Sequence, residues 1–396
     1  MTRVVITGYG SITPLADDPK EWFSTGDEAS SAKRILDRVC DLRLKECLEG
    51  RNLRLLDRTS QLLASAAGKA LKSAGLHGQP ETNIGLINGT VFSSGKTISA
   101  FDCRALEEGP SLASALDFAN TVINASTGQT AICFALSAEN TTISTGLSSG
   151  LKAIVRAVDS IHCGRSEKLL AGGVEELSDD LRLAFQESGM LALDPVMALP
   201  WNQPASGFRL SEGAALVVLE SETSAIDRDA CILAEVIGVG SAFDVSGRSR
   251  GDTSVKSIIH AISLALADGK SCPEDVDCVI ASANGTSVVD LHECHALRLV
   301  FDDQSLPVIF APKESIGESL GAGGPLQVIS ALELLRNEEL QASVQQSALN
   351  RCFAGCRCKS SSSAPWRLML INSISYDGHS CSVLLRRFVR HRDDLN

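Results

Sequence analysis

The stretch NTTISTGLSSGLKAI, residues 140–154, predicts a sharp turn that leads into a helix. Gly146 gives the backbone its freedom at the turn, and Ser148 and Ser149 favour the start of a helix. Further along, apolar residues recur at three- and four-residue spacing, which is typical of a buried helix face. Many enzymes place a nucleophile at such a junction, because the helix N-terminus stabilises a thiolate or an oxyanion. Here the apex residue is Leu147, whose side chain is a hydrocarbon.

The composition predicts a globular protein of 396 residues, because 44% of the residues are apolar and 21% are charged. The formal net charge of −12 is spread along the chain and does not favour nucleic acid or an anionic membrane. An acidic partner would therefore need a local basic patch. The N-terminal MTRVVITGYGSI has no basic leader and no long apolar run, so we predict a cytoplasmic protein.

The 13 cysteines are scattered and odd in number, which favours small buried side chains over a disulfide framework. Three of them, Cys352, Cys356 and Cys358, cluster beside a serine-rich linker. Zinc ligands usually come in closely spaced pairs, and His379 and Cys381 would complete a site only if the chain folded back. We interpret the cluster as thiols of a surface loop and predict no metal site.

The chain repeats one pattern of a helix followed by a buried strand. An amphipathic helix at 60–76 precedes the apolar run IGLINGT at 84–90, and a second helix at 254–269 precedes CVIASANGT at 278–286. This alternation predicts parallel strands that are covered on both faces, in two similar halves that meet near 222–245. The alternative is that α/β proteins repeat this pattern without duplication.

Other segments fit an α/β protein. LLAGG, residues 169–173, reads as a strand that enters a glycine turn, and residues 207–220 read as a bulged strand pair. The loop KESIGESLGAGG, residues 313–324, opens a helix. It lacks the glycine spacing of nucleotide-binding loops, so close packing of backbones accounts better for its glycines than phosphate binding does.

In their order along the chain, these motifs resemble the β-ketoacyl synthase family of the thiolase fold. The resemblance runs through VVITGYGSITPL, NTVINASTGQ, ISTGLSSG, LLAGGVEE, PWNQPASGFRLSEGAALVVLE, SANGTS, PKESIGESLGAGG and NSISYDGHS. It implies an α/β fold of two pseudo-duplicated halves in a five-layer αβαβα arrangement. We place the N-terminal half at residues 1–235 and the C-terminal half at residues 236–396.

Active members of this family use a cysteine at the apex and two histidines, one in HGTxT and one in KxxxGHxxGAxG. At the matching positions this chain has Leu147, Asn284 and Glu318, and only the loop lysine remains, as Lys313. The closing loop, usually GFGGTN, carries Tyr376 in SYDGHS and has less backbone freedom.

These replacements remove the family's chemistry. Leu147 cannot form a thioester, and Asn284 cannot shuttle a proton near neutral pH. An ionised Glu318 would repel a malonyl carboxylate and a developing enolate. We therefore predict a subunit with no catalytic residues and no cofactor.

A synthase-like chain without this chemistry resembles the chain-length factor of type II polyketide synthases. The resemblance implies a heterodimer with a catalytic ketosynthase and a shared tunnel for the growing polyketide, which an acyl carrier protein delivers. Leu147 would then fill a vestigial pocket. Both aromatic polyketides and polyenes are made by such pairs, and the sequence does not choose between them.

The resemblance also places an interface and a tunnel. The interface positions are Asn120, Thr121, Val122, Ile123, Asn124, Ala125 and Gln129. The loop after Gly89, with Val91 and Phe92, resembles the segment that lines the acyl tunnel. The candidate gates of the tunnel are Phe92, Phe101, Phe118 and Phe134, since a bulky ring shortens a tunnel. For each phenylalanine, ordinary core packing is the alternative.

Two other functions are open to this chain. A serine-dependent acyltransferase would use Ser148 or Ser149, but His162 lies about four turns away along the predicted helix. A scaffold that docks the acyl carrier protein would need a basic surface, and the C-terminal RRFVRHRDD, residues 386–394, carries mixed charge.

Overall fold

A computed structural model describes nine segments of the chain, residues 2–23, 37–42, 56–78, 83–195, 198–201, 205–245, 255–301, 306–347 and 365–389. Ten strands of these segments form one sheet. They are β1 (Val4–Ile12), β2 (Ile84–Gly89), β3 (Asn140–Ile143), β4 (Lys168–Glu175), β5 (Gly213–Ser221), β6 (Ala234–Phe243), β7 (Cys278–Ile280), β8 (Val308–Phe310), β9 (Leu368–Ile374) and β10 (His379–Arg386).

The sheet consists of two halves with the same topology. The first five strands have the order β3-β2-β4-β5-β1, and the last five have the order β8-β7-β9-β10-β6. In each half, the three strands at the outer end are parallel and the other two pairings are antiparallel. The halves join where Val4–Ile6 of β1 pairs with Ala234–Val236 of β6. The predicted duplication is therefore present in the strand order itself.

Twelve helices cover and separate the strands of the described segments. They are α1 (Arg58–Ser73), α2 (Gly95–Glu108), α3 (Ala115–Phe118), α4 (Ala125–Phe134), α5 (Ser149–His162), α6 (Asp179–Glu187), α7 (Glu222–Asp227), α8 (Val255–Asp268), α9 (Ser287–Val300), α10 (Lys313–Ile316), α11 (Gly323–Arg336) and α12 (Glu338–Ser347). Several begin at a side-chain cap, as where Asp57 Oδ1 accepts a hydrogen bond from the Ser60 N–H at the start of α1.

Two helices form the middle layer of the molecule. α5 and α11 pack against each other, and each contacts strands of both halves of the sheet. All of α11 except its last residue, Arg336, is buried. α1 and α4 lie on the outside of the first half, and α8 and α9 lie on the outside of the second. This arrangement has five layers and confirms the predicted thiolase-like α/β fold; the division at residues 235/236, which falls inside β6, stays a prediction.

The segment 207–220 differs from the prediction of a bulged strand pair. One strand, β5, begins only at Gly213. The residues before it make isolated bridges, Phe208 to Leu191 and Leu210 to Glu318. The apolar pattern of Phe208 and Leu210 therefore reflects burial in a loop and not a second strand, because their backbones meet two different neighbours.

No helix in the described part of the chain is both long enough and apolar enough to cross a bilayer.

Candidate functional site

Leu147 lies at the turn between β3 and α5, as predicted. β3 ends at Ile143 and α5 begins at Ser149. Gly146 has φ +61°, and a Cβ at this position would stand 2.1 Å from Ser375 Oγ. Both the backbone conformation and the close approach require glycine here. The strand–turn–helix prediction is confirmed.

The Leu147 side chain is buried in an apolar cluster. Its exposed fraction is 5%, and it packs with Leu177, Phe208, Leu210 and Leu320. Its backbone N–H, which points from the helix N-terminus toward the turn, donates to Ser375 Oγ at 3.0 Å. The donor that would stabilise an anion at this apex is therefore already engaged by a side chain of the chain itself.

The three positions Asn284, Lys313 and Glu318 meet in one buried polar cluster. Asn284 Nδ2 donates to Glu318 Oε2 at 2.9 Å and to Tyr376 Oη at 3.1 Å. The Thr286 hydroxyl donates to Asn284 Oδ1 at 2.8 Å and lies 3.1 Å from Tyr376 Oη. Burial raises the pKa of the Tyr376 hydroxyl, so its O–H remains a donor. The side chains orient one another in a closed network.

Glu318 is the centre of this network and is fully buried. Its Oε2 also accepts from Lys313 Nζ at 2.8 Å, and its Oε1 accepts from the Leu320 N–H at 3.0 Å. The side chain of Lys313 is 2% exposed, so the two groups form a buried ion pair. Such a pair is tolerated in a protein interior when further hydrogen bonds satisfy its polar atoms, and both oxygens of Glu318 accept such bonds from Asn284 and Leu320.

Two further carboxylates hold the loop that carries Asn284. Asp290 accepts from the backbone N–H groups of Asn284 and Gly285, and Glu293 accepts from those of Ser282 and Ala283. Burial raises the pKa of Asp290 to about 6 and that of Glu293 to about 7, against the lowering effect of these donors. The loop is thus held by two carboxylates from the first two turns of the next helix, α9.

Glu175, at the end of β4, also holds a loop through backbone N–H groups, here in the first half of the chain. Its carboxylate accepts from the backbone N–H groups of Val91, Phe92 and Ser93, and from that of Gly321 in the glycine-rich loop. Burial raises its pKa to about 7. Sequence reasoning missed this residue, although an acidic residue that ends an otherwise apolar strand is a usable signal.

Two of the predicted tunnel residues lie beside Leu147. Val91 packs against the Leu147 cluster, and the Phe92 ring contacts Phe185, whose ring in turn contacts Phe208 of that cluster. Phe92 is 45% exposed, so one side of its ring faces outward. These two positions therefore lie between the Leu147 cluster and the protein surface.

The other three candidates lie elsewhere. Phe101 of α2 and Phe118 of α3 contact each other, with ring centroids 5.8 Å apart. Phe134, on the outer helix α4, packs toward the apolar cluster between α1 and the sheet and against His77. The tunnel role of all five residues stays a prediction, and Phe134 is the one that the structure separates from the Leu147 side of the sheet.

The predicted interface residues surround the start of α4. Val122 and Ile123 are 46% and 44% exposed. Thr121 and Gln129 are half-buried, Asn124 is exposed, and Asn120 and Ala125 are buried. Nearby β3 lies at one end of the sheet order, so it pairs on one side only among the described strands. An interface at these positions stays a prediction.

The serine alternative is not supported by the geometry. Ser148 Oγ donates to the Thr145 carbonyl, and Ser149 Oγ donates to the Gly146 carbonyl. His162 ends the same helix, α5, roughly 20 Å away at 1.5 Å per residue. The structure does not bring a histidine of this helix to either serine.

The cysteine cluster at Cys352, Cys356 and Cys358 lies outside the described residues. In the segments that the structure describes, no group of three or more histidine, cysteine and acidic side chains is placed to hold a metal ion.

Comparison with protein families identifies two adjoining domains. The model of the β-ketoacyl synthase N-terminal domain matches residues 44–225, and the model of the β-ketoacyl synthase C-terminal domain matches residues 233–347. The first model contains β2 to β5 and the second contains β6 to β8, so the matches include strands of both halves of the sheet.

Individual relatives agree with the family match. The chain is 31% identical over 359 residues to the tetracenomycin polyketide synthase ketoacyl synthase beta subunit of Streptomyces glaucescens, which covers 84% of this chain and 86% of the relative. It is 28% identical over 357 residues to 3-oxoacyl-[acyl-carrier-protein] synthase 2 of Coxiella burnetii, covering 85% and 86%. Among solved structures, the ishigamide ketosynthase/chain length factor has a TM-score of 0.84 at 24% identity and covers 98% of this chain and 100% of that chain.

Proposed function

The chain belongs to the β-ketoacyl synthase family, and we propose that it is a non-condensing member that acts as a chain-length factor beside a catalytic ketosynthase. One observation carries the proposal. Leu147, Asn284 and Glu318, which replace the nucleophile and the two histidines of active members, converge in the structure as neighbouring parts of one site. All three departures therefore fall where condensation would take place.

The chemistry of the site favours a non-condensing subunit over an enzyme with altered catalytic residues. A leucine cannot form an acyl thioester. The carboxylate of Glu318 carries the charge that a malonyl group and its enolate also carry, and its hydrogen bonds to Lys313 and Asn284 occupy the donors that could otherwise bind them.

The surface near the start of α4 supports the proposal of a partner of the same fold. The exposed apolar side chains Phe118, Val122, Ile123 and Ile132 lie in and before this helix, and β3 presents a sheet edge beside it. One curated relative is named a beta subunit, and one similar structure is described as a ketosynthase/chain length factor. We infer a heterodimer with a catalytic ketosynthase through this surface.

In that heterodimer, the acyl chain would arrive as a thioester of an acyl carrier protein and extend toward Val91 and Phe92. These two residues border the Leu147 pocket, and Glu175 fixes their backbone. A ring at position 92 would then limit the number of extensions, because a rigid backbone prevents the loop from yielding to a longer chain.

The experiment compares this chain alone, a catalytic ketosynthase alone and the co-expressed pair. Native mass spectrometry should show a one-to-one heterodimer, and condensation of malonyl-carrier substrates should need the pair. Phe92→Ala in the pair should lengthen the product by at least one extension. Phe388→Ala, which removes a half-buried ring beside Arg3 beyond the far end of β10, is the matched control and should leave the length unchanged.

Each alternative has its own outcome. A homodimer that forms an acyl-enzyme without a partner would contradict the proposal and revive a serine nucleophile. A pair in which both phenylalanine variants give the wild-type product, while the carrier protein still binds this chain, would indicate a docking scaffold without control of length.

A further inference from the structure

An arginine-lined cleft lies at the end of the sheet where the two halves join. Its volume is 580 Å³, and it is lined by Arg3, Glu235, Pro365, Arg367, Arg386, Arg387 and Val389. These residues come from β6, from β10, and from the segments next to β1, β9 and β10. The cleft is therefore built by strands of both halves of the chain.

Glu235 holds two of the arginines in fixed positions. Its carboxylate accepts from Arg3 Nε and Nη2, both at 2.8 Å, and from Arg386 Nη2 at 2.8 Å. Arg3 also pairs with Glu222, and its guanidinium lies 5.7 Å from the centre of the Phe388 ring. Arg386 retains Nη1 as a donor. These contacts reduce the entropy that the arginines would lose on binding an anion.

The guanidinium groups of the other two arginines make no ion pair with the described residues, although the backbone N–H of Arg367 donates to Asp277 Oδ2 at 2.7 Å. The backbone N–H of Arg387 donates to the Arg367 carbonyl at 2.8 Å, which places the two residues side by side. The four arginines outnumber the neighbouring carboxylates of Glu222, Glu235 and Asp277 by one, so the local charge is positive. This is a cationic site on a chain whose formal net charge is −12.

We propose that this cleft binds a small organic phosphate, with the dianionic phosphate on Arg367, Arg386 and Arg387 and an apolar group against Pro365 and Val389. The positive charge of the cleft attracts a phosphate group, and the two guanidinium groups without an ion pair can donate to it. Guanidinium groups bind phosphate through paired N–H donors, and the volume suits a small molecule. Val389 is 66% exposed, so the apolar wall is accessible in the described part of the chain.

The cleft is separate from the candidate functional site. β10 begins at His379, next to the turn that carries Tyr376, and ends at Arg386. Seven residues at about 3.3 Å each place the cleft roughly 23 Å from that turn. Its ligand is therefore not the acyl chain at the Leu147 pocket, and the proposal does not depend on the chain-length role.

Isothermal titration calorimetry of the full chain tests the site with phenyl phosphate, inorganic phosphate and benzoate. Phenyl phosphate should bind most tightly, because benzoate has one charge and inorganic phosphate has no apolar group. The double variant Arg367→Gln/Arg387→Gln should raise the Kd for phenyl phosphate at least about tenfold. Arg367→Lys/Arg387→Lys should raise this Kd by a smaller factor, because lysine keeps the positive charge but lacks the paired N–H donors of a guanidinium group.

The matched control is Arg165→Gln/Lys256→Gln, which removes the same charge from two exposed residues elsewhere. It should keep the Kd within about twofold, because exposed charges at a distance are screened by salt. Saturable binding that only the cleft variants weaken supports the proposal. The absence of saturable binding to the wild-type chain, or equal weakening in both pairs of variants, would overturn it. Binding of polyglutamate in place of phenyl phosphate would also overturn it and indicate an acidic protein partner.

Discussion

The apolar pocket around Leu147 and the polar cluster around Glu318 lie side by side but are built in different ways. The first half of the chain supplies the pocket apex, and the second half supplies the polar network. Leu320 belongs to both, since its side chain packs with Leu147 while its N–H donates to Glu318. Tyr376 also contacts both, since its ring packs against the Leu147 cluster and its hydroxyl accepts from Asn284, while Ser375 accepts from the Leu147 N–H.

The difference shows how a site of this kind can lose one chemistry and remain folded. A single leucine fills the apex with apolar volume and needs no partner. The polar region needs a complete set, because a buried carboxylate requires both a cation and hydrogen-bond donors. The pocket should therefore tolerate conservative changes of shape, and the polar cluster should tolerate only changes that preserve the balance of charge.

The largest expected effect comes from removing the cation of the polar cluster. Lys313→Met leaves the Glu318 carboxylate buried without its ion pair, and we expect the free energy of unfolding to fall by about 3–5 kcal/mol. Urea denaturation measures this loss. The double variant Lys313→Met/Glu318→Gln should recover most of it, because no net charge is then buried.

Lys72→Met is the control for the change of side chain, since Lys72 is exposed on α1 and should alter stability by less than about 0.5 kcal/mol. If Lys313→Met were no more destabilising than this control, the pairing of Lys313 with Glu318 would not hold the cluster together. If the double variant were worse than Lys313→Met, the hydrogen bonds of the carboxylate would outweigh its charge.

Truncation of the apex residue should have the next largest effect. Leu147→Ala opens a cavity among packed side chains and should lower the free energy of unfolding by about 2–4 kcal/mol. Leu147→Met, which keeps the volume, should remain within about 1.5 kcal/mol of wild type. Leu193→Ala, at a fully exposed leucine, is the control in the same denaturation series. If Leu147→Ala lowered the free energy of unfolding no more than Leu193→Ala does, the result would contradict tight packing around Leu147.

Much of the fold could be predicted from local patterns. The apex turn, the helix at 58–73, the strand at 84–89 and the helix that follows the glycine-rich loop agree with the structure within a few residues. Each has a signal of short range, such as an amphipathic period or a glycine with positive φ. The predicted strand pair at 207–220 was wrong at residues 207–212, because apolar spacing alone does not distinguish a strand from a buried loop.

The sequence predicted which residues form the site, but it did not predict the contacts between them. The sequence indicated which residues replace the nucleophile and histidines, whereas the closed network of Asn284, Thr286 and Tyr376 depends on distances across separate loops. Glu175 was missed for the same reason, since its partners lie more than 80 residues away. Four of the five tunnel candidates were chosen as aromatic residues, and aromaticity does not specify the side of the sheet on which a residue lies.

Buried carboxylates support the loops on both sides of the site, and they make the stability of the fold depend on pH. Glu175 has a pKa raised from 4.5 to about 7, so the folded chain binds a proton that the unfolded chain has lost between these values. Stability should therefore fall as pH rises from about 4.5 to about 7, by up to about 1.4 kcal/mol per pH unit for this one group. Glu175→Gln should flatten that part of the slope in urea denaturation between pH 5 and pH 7.5. Glu187→Gln, which makes the same change of charge at an exposed position, is the matched control. An unchanged slope in Glu175→Gln would show that its backbone donors outweigh burial and keep the carboxylate ionised throughout.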